Sequence, residues 1–290
     1  MSSGSSAPGL EETGVFDTHV HVWSSDTRRY PLPEGEALPP FPGDPEVLLE
    51  AMDANGVRRA LLVQAPWNGT NIDYLVETMN RHQGRFVALG HMPLPLPDEP
   101  DRLLDTYRDA NLCGIRFRLL SASMAQELIT PQATALIRQA IAYGMAVQLM
   151  YRDQSLHGVM DGFFGMFDRG TFVIDHLGHL DPSRDAYPGA WEAFLRLARH
   201  QTVRVKLSYH YWLSGDEYPW RDLHRAQEQI VEFFGPSRVM WGSNHPMHLP
   251  NPSYAERLAA VQDELSFLSM SDRQWILYRT AASVFGSHGA

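Results

Sequence analysis

The chain has 290 residues, 44% of them hydrophobic and 20% charged, and 24 Lys+Arg against 34 Asp+Glu give a formal net charge of −10. Such a chain holds apolar mass for one large domain, and it lacks the concentrated positive field that nucleic acid or an anionic membrane surface requires. The one cysteine, Cys113, excludes an intramolecular disulfide and a Cys-based zinc site; with no ~20-residue apolar span and no signal-peptide pattern, the expected compartment is the cytoplasm.

Residues 1–13 are rich in Ser and Gly and read as a disordered tail before a domain over 14–290. Short apolar runs at 15–22, 58–64, 85–91, 112–118, 145–150, 171–176, 202–208 and 238–243 suit strands buried on both faces of a parallel sheet. Amphipathic stretches at 45–55, 71–82, 131–143 and 229–234 each close on or just before a glycine. Ser253 with Glu256 and Ser271 with Gln274 match the helix capping box. Eight such β/α units at this length predict a single-domain (β/α)₈ barrel. A doubly wound open sheet is less apt, because no Gly-rich phosphate fingerprint follows the first strand. The Pro-rich stretch 30–45 follows strand one and is expected over the barrel mouth.

Barrel active sites lie at the C-terminal ends of strands. Strand one ends Asp17-Thr-His19-Val-His21, and simple alternation puts Asp17, His19 and His21 on one face. Two imidazoles one repeat apart can converge on an ion or a substrate, or can be hydrogen-bonded core histidines. On strand four, Arg116 and Arg118 share a face and could clamp a carboxylate. Gln64 is expected near the pocket floor and Tyr151 as a donor to a carboxylate. Strand six presents His176 inward, above Ile174 and Phe172, and Asp175 is expected to face away from it. On strand seven Lys206 and Ser208 lead to His210 at the mouth, and strand eight ends with Asn244 and His245. Tyr209, Tyr211 and Trp212 suit loop packing or a wall for a ring substrate. His157, His200 and His248 are expected to be solvated or capping.

The segments FDTHVHVW (16–23), LLVQAPWNGTN (61–71), GIRFRL (114–119), VIDHLGH (173–179), VKLS (205–208) and FGPSRVMWGSNHP (234–246) occur in an order that resembles the amidohydrolase superfamily. Within it, they are similar to the lactonase branch, and most of all to pyrone-dicarboxylate lactonases. The resemblance implies that His19, His21 and His176 bind a divalent metal, zinc or manganese, or contact substrate without one. It also implies an Asp on strand eight that activates water. Asn244 stands there instead, and an amide cannot accept that proton. Three readings follow: His245 or His210 is the substitute base with Asn244 orienting the water, the reaction needs no base there, or activity is lost.

The leading expectation is therefore a hydrolase that opens a lactone or similar ester of a small carboxylated ring, with the histidines polarising the carbonyl. Arg116, Arg118, Tyr151, His210 and Gln64 would bind the small anionic substrate. A decarboxylase of a small unsaturated or aromatic acid, and a non-catalytic anion binder, are the alternatives. The sequence carries no signal about oligomeric state.

Overall fold

The structure is a computed structural model that describes residues 14–179 and 189–287. The tail expected at 1–13 lies outside these residues. Eight strands follow one another around a single sheet: β1 (Val15–Val20), β2 (Val57–Val63), β3 (Phe86–His91), β4 (Gly114–Leu119), β5 (Ala146–Tyr151), β6 (Phe172–Ile174), β7 (Val203–Leu207) and β8 (Val239–Trp241). All neighbouring pairs are parallel. The ring closes through backbone bonds beyond the end of β8: Asn244 N–H donates to the His19 carbonyl (2.7 Å) and His21 N–H to the His245 carbonyl (2.8 Å). This is the (β/α)₈ barrel that the sequence predicts, in one domain.

Each strand buries two faces. Val20, Leu62, Phe117, Leu149, Val205 and Trp241 belong to the layer beneath the helices. Leu61, Val63, Val87, Leu89, Cys113, Ala146, Val173 and Met240 fill the barrel interior. Tyr278, Ala281 and Phe285, from the C-terminal helical segments, join that inner cluster, and the Phe285 ring lies 6.3 Å from Phe16 near the start of β1. The bottom of the barrel is thus sealed by apolar side chains.

β1 does not alternate simply. Asp17 pairs with Ala60 and Val20 with Leu62, so three steps on β1 face two on β2. This bulge adds one residue and flips the parity midway. Phe16 below and His19 above both enter the interior, while Asp17 leaves it. Asp17 accepts bonds from Tyr254 Oη (2.8 Å) and the backbone of Ser243 (2.9 Å), and it is not the inward acid of strand one.

The helices at Pro45–Ala54, Asp73–Arg81, Pro131–Ala142 and His224–Phe234 match the amphipathic stretches, the last beginning five residues earlier than its periodicity indicates. Pro100–Asp109, Ala122–Leu128, His157–Phe164 and Ala190–Arg196 are further helices that the sequence pattern did not single out. Ser253 and Glu256 form the expected capping box. The second box is Ser269 with Asp272 rather than Ser271 with Gln274, because the helix begins two residues earlier, at Met270. No helix or strand lies between Val20 and Pro45. This segment is pinned where Trp23 N–H bonds the Gly43 carbonyl (2.9 Å). A Cβ on Gly43 would sit 2.2 Å from the Trp23 indole, so the close approach requires glycine. Farther along, Phe41 approaches His248, 6.1 Å between ring centroids, beside the mouth. No helix among the described residues is long and apolar enough to cross a membrane.

Candidate active site

A polar stack crosses the barrel above its apolar floor. Lys206 Nζ donates to the Thr18 carbonyl (2.6 Å) and to Gln148 Oε1 (2.6 Å), and lies 3.5 Å from Asp175 Oδ1. Asp175 Oδ2 accepts from Arg116 Nε (3.0 Å), Arg116 Nη2 (2.9 Å) and Gln148 Nε2 (3.0 Å). His19 Nδ1 faces Asp175 Oδ1 at 3.3 Å. Asp175, His19, Lys206 and Gln148 are fully buried. Burial alone would raise the Asp175 carboxyl, but the neighbouring His19 ring, Lys206 and Arg116 outweigh it and hold the group well below the carboxylate range. Burial also drives His19 well below its ordinary value. With His19 neutral, Lys206 and Arg116 are the standing counter-charges of Asp175. Burial lowers the Lys206 ammonium to about 8.

Above the stack a cavity of 120 Å³ opens at the C-terminal end. His21, Trp67, Arg116, Arg118, Met150, Arg152, His176, His179, Tyr209 and Asn244 line it, with Pro66 and Met247. Arg118 and Arg152 have no carboxylate within ion-pair distance among the described residues. Burial and the neighbouring Arg116 and Arg152 lower the Arg118 guanidinium to about 10.

Three lining residues arrive by the same backbone device. His176 after β6, Tyr209 after β7 and Asn244 after β8 have φ of 53°, 68° and 58°. Left-handed backbone swings a side chain that would otherwise follow the strand's alternation toward the opening. For a residue with a Cβ, that conformation costs about 1 kcal/mol or more. The turn after β6 is left-handed throughout, with φ of 53°, 52°, 65° and 51° over His176, Leu177, Gly178 and His179.

The structure brings His19, His21, Arg116, Arg118, His176 and Asn244 to or directly below this cavity. Four expected residues lie elsewhere. Tyr151 shares the outer face of β5 with Leu149 and hydrogen-bonds His157 Nδ1 (3.2 Å) beneath the helices. Gln64 ties the loop after β2, donating to the carbonyls of Gly69 and Asn71 and accepting from His91 N–H. His210 starts a short helix and stacks on Trp220 at 5.7 Å, away from the mouth. His245 is buried against Tyr254, outside the cavity lining. Neither of the two candidate bases therefore faces the cavity. Asp175, expected to face away, is the acid at the centre, because the parity of β6 puts Val173 inward and Ile174 outward. Arg116 spends two of its donors on Asp175 instead of offering a free fork. His157 and His200 are not solvated: the former is fully buried and the latter bonds Asp161 (2.8 Å).

Arg152 and His179 are lining residues that the sequence reading missed. Continuing the inward series Ala146, Gln148, Met150 by one step reaches Arg152. His179 had no comparable signal, since left-handed turns follow no strand period.

The donor set suits a metal. His21 Nδ1 bonds the Val63 carbonyl (2.7 Å), so that nitrogen carries the proton and Nε2, with the Asn244 amide beside the ring, is left as the acceptor. His19 Nδ1 faces Asp175, and its buried Nε2 has no partner. His176 Nδ1 is held by Ser208 Oγ (2.8 Å). Each ring is thus oriented through Nδ1, as metal-binding histidines are. His19, Asp175 and His176 also offer ligand atoms within 4.8 Å of one another. Arg116 and Gln148 bond Asp175 Oδ2, whereas the buried Oδ1 has no hydrogen bond and lies 3.3 Å from His19 Nδ1, where it orients that ring.

The amidohydrolase family model matches residues 16–287. The chain belongs to the amidohydrolase family. An L-fucono-1,5-lactonase of Burkholderia ambifaria is 27% identical over 238 residues, 80% of each chain. A probable 2-pyrone-4,6-dicarboxylic acid hydrolase from Acinetobacter baumannii, solved with citric acid bound, superposes with a TM-score of 0.79 at 20% identity, covering 94% of this chain and 100% of that one. A zinc-bound amidohydrolase from Burkholderia multivorans gives 0.76 at 22% identity, over 94% and 99%. These likenesses agree with the resemblance carried by the sequence motifs, and the protein is an enzyme of the hydrolase type.

Proposed function

We propose that the protein hydrolyses a lactone, or a similar ester, of a small carboxylated ring compound. The observation that carries this reading is the convergence of Arg116, Arg118 and Arg152 on the same 120 Å³ cavity as His21 and His176. Among the described residues Arg118 and Arg152 have no carboxylate within ion-pair distance, and such guanidiniums bind an anionic ligand through charge-assisted hydrogen bonds. The lactonase and pyrone-dicarboxylate hydrolase names among the relatives support the bond type.

Arg118 and Arg152 hold the carboxylate at the mouth, and Arg116 reaches the cavity from its anchor on Asp175. His19, His21 and His176 would hold a divalent metal through Nε2, which supplies Lewis acidity at the scissile carbonyl. Their neutral state follows from burial: His21 is lowered to about 3. Asn244 donates through Nδ2 to Tyr211 Oη (3.0 Å), and its amide orients water without accepting a proton.

The test is turnover. Protein purified without chelator is assayed on a panel of carboxylated lactones, with and without added zinc or manganese, and its bound metal is measured by elemental analysis. Ring opening with uptake of one water is the expected result. Release of carbon dioxide from an unsaturated acid would establish the decarboxylase alternative, and no turnover on any panel member would overturn the enzymatic reading of this cavity.

A further inference from the structure

The mouth of the barrel carries aromatic side chains to which the proposed chemistry gives no role. Trp212 lies in the short helix His210–Leu213 after β7. It is 50% exposed, the one exposed tryptophan among the described residues. The helix buries His210 and Leu213 and turns the indole outward. That indole lies nearly parallel to the Tyr209 ring, 9° apart with centroids at 5.7 Å, and Tyr209 lines the cavity. On the loop after β8, His248 stands 5.6 Å from Trp212 and 6.1 Å from Phe41, which belongs to the segment between β1 and the first helix. Three separate loops thus gather aromatic rings at one place, continuous with the cavity through Tyr209. A lone exposed apolar side chain is ordinary, whereas a cluster beside a pocket marks a binding surface.

The size of the cavity points to what covers that surface. At 120 Å³ it falls below the roughly 300 Å³ of the smallest pockets that enclose a drug-sized ligand. It takes the reacting end of a ligand, and the sealed floor leaves the mouth as the way out for the remainder. With the carboxylate held by Arg118 and Arg152, a planar ring joined to the reacting ring can lie against the face of Trp212 that Tyr209 leaves free. Stacked aromatic pairs gain more than the apolar area they bury, and a saturated ring of equal size gains only the area term.

We propose that Trp212, with His248 beside it, forms an outer aryl subsite: the ligand is a carboxylated ring that carries a second, aromatic ring stacked on the indole. This rests on the carboxylate anchor of the lactonase reading and deepens it by naming a substituent, but it is tested by binding alone.

The probes are benzoate, 4-phenylbenzoate and 4-cyclohexylbenzoate, which share one carboxylate and differ in the second ring. Binding to the full-length protein is measured by calorimetry. 4-Phenylbenzoate is expected to bind at least about tenfold tighter than benzoate and at least about threefold tighter than 4-cyclohexylbenzoate. In Trp212→Leu, which keeps an apolar side chain and removes the ring, the preference for phenyl over cyclohexyl should fall to within about twofold while benzoate affinity is unchanged. Trp212→Tyr keeps an aromatic face and should retain part of the preference. Four results would overturn the proposal: equal binding of the two-ring acids to the unmodified protein, an unchanged preference in Trp212→Leu, equal weakening of all three acids in that variant, or no binding of any. A phenyl preference that depends on Trp212, in a protein that opens no lactone, would leave this inference standing and reject the lactonase reading alone.

Discussion

Asp175 illustrates how much one residue can hold. Its carboxylate is the shared counter-ion of Arg116 and Lys206 and the orienting partner of His19. Removing its charge leaves two buried cations facing each other, a change that costs about 3–5 kcal/mol for buried pairs. Asp175→Asn should therefore lower unfolding free energy by about 3 kcal/mol in a denaturant titration, with turnover lost as well. A variant of unchanged stability would show that the cations find other partners. Several residues expected at the mouth do lie at the cavity or just below it. His19, His21, Arg116 and Arg118 were legible because extended strands obey a two-residue period once the mouth end is known. The reading failed at Asp17 and Asp175. A bulge in β1 shifted the phase of the first. The second was displaced because the left-handed His176 reaches the cavity out of phase, so taking it as the inward residue inverted its neighbour.

At the scale of elements, the left-handed turn after β6 is the most constrained piece of the site. Gly178 sits at its third position, and a Cβ there would come within 2.7 Å of the Phe194 ring and 3.2 Å of His157. Gly178→Ala must therefore push the turn outward and carry His176 and His179 with it. A displacement of about 1 Å at reacting groups costs on the order of 10²-fold in rate, so kcat/KM should fall by that order. Gly235 makes the matched control. Its φ is 77°, but an added Cβ meets nothing within 4 Å. Gly235→Ala, at φ 77° and ψ 147° near a region almost confined to glycine, should cost up to about 3 kcal/mol of stability and leave the kinetics unchanged. Equal kinetic effects from both would mean that the turn's geometry does not govern the site. The strands and longer helices were readable from apolar periodicity, whereas short pieces such as Ala122–Leu128 contain too few turns to establish a period.

Over the whole molecule, histidines make the fold sensitive to acid. Burial lowers His91, His157 and His210 to about 4 and His245 to about 3, against an ordinary value of 6.5. None of these four lines the cavity. A group lowered in the folded state takes up its proton more readily when unfolded. Its contribution is complete above pH 6.5 and is withdrawn as pH falls toward the folded value. Each group removes about 1.4 kcal/mol per pH unit in that window. Four acting together match the 5–15 kcal/mol stability of a typical domain. Circular dichroism against pH should show cooperative unfolding between about pH 6 and pH 4. A chain still folded at pH 3.5 would contradict that sum.

The apolar seal made by Phe16 and Phe285 bears on traffic through the enzyme. A barrel stoppered at its base has a single doorway, so whatever enters over Arg118 and Arg152 must leave past them. Opening an ester creates a new carboxylate, and the departing molecule is then more strongly gripped at the threshold than the arriving one. Turnover would be paced by departure, and accumulating product would queue against fresh substrate at the same gate.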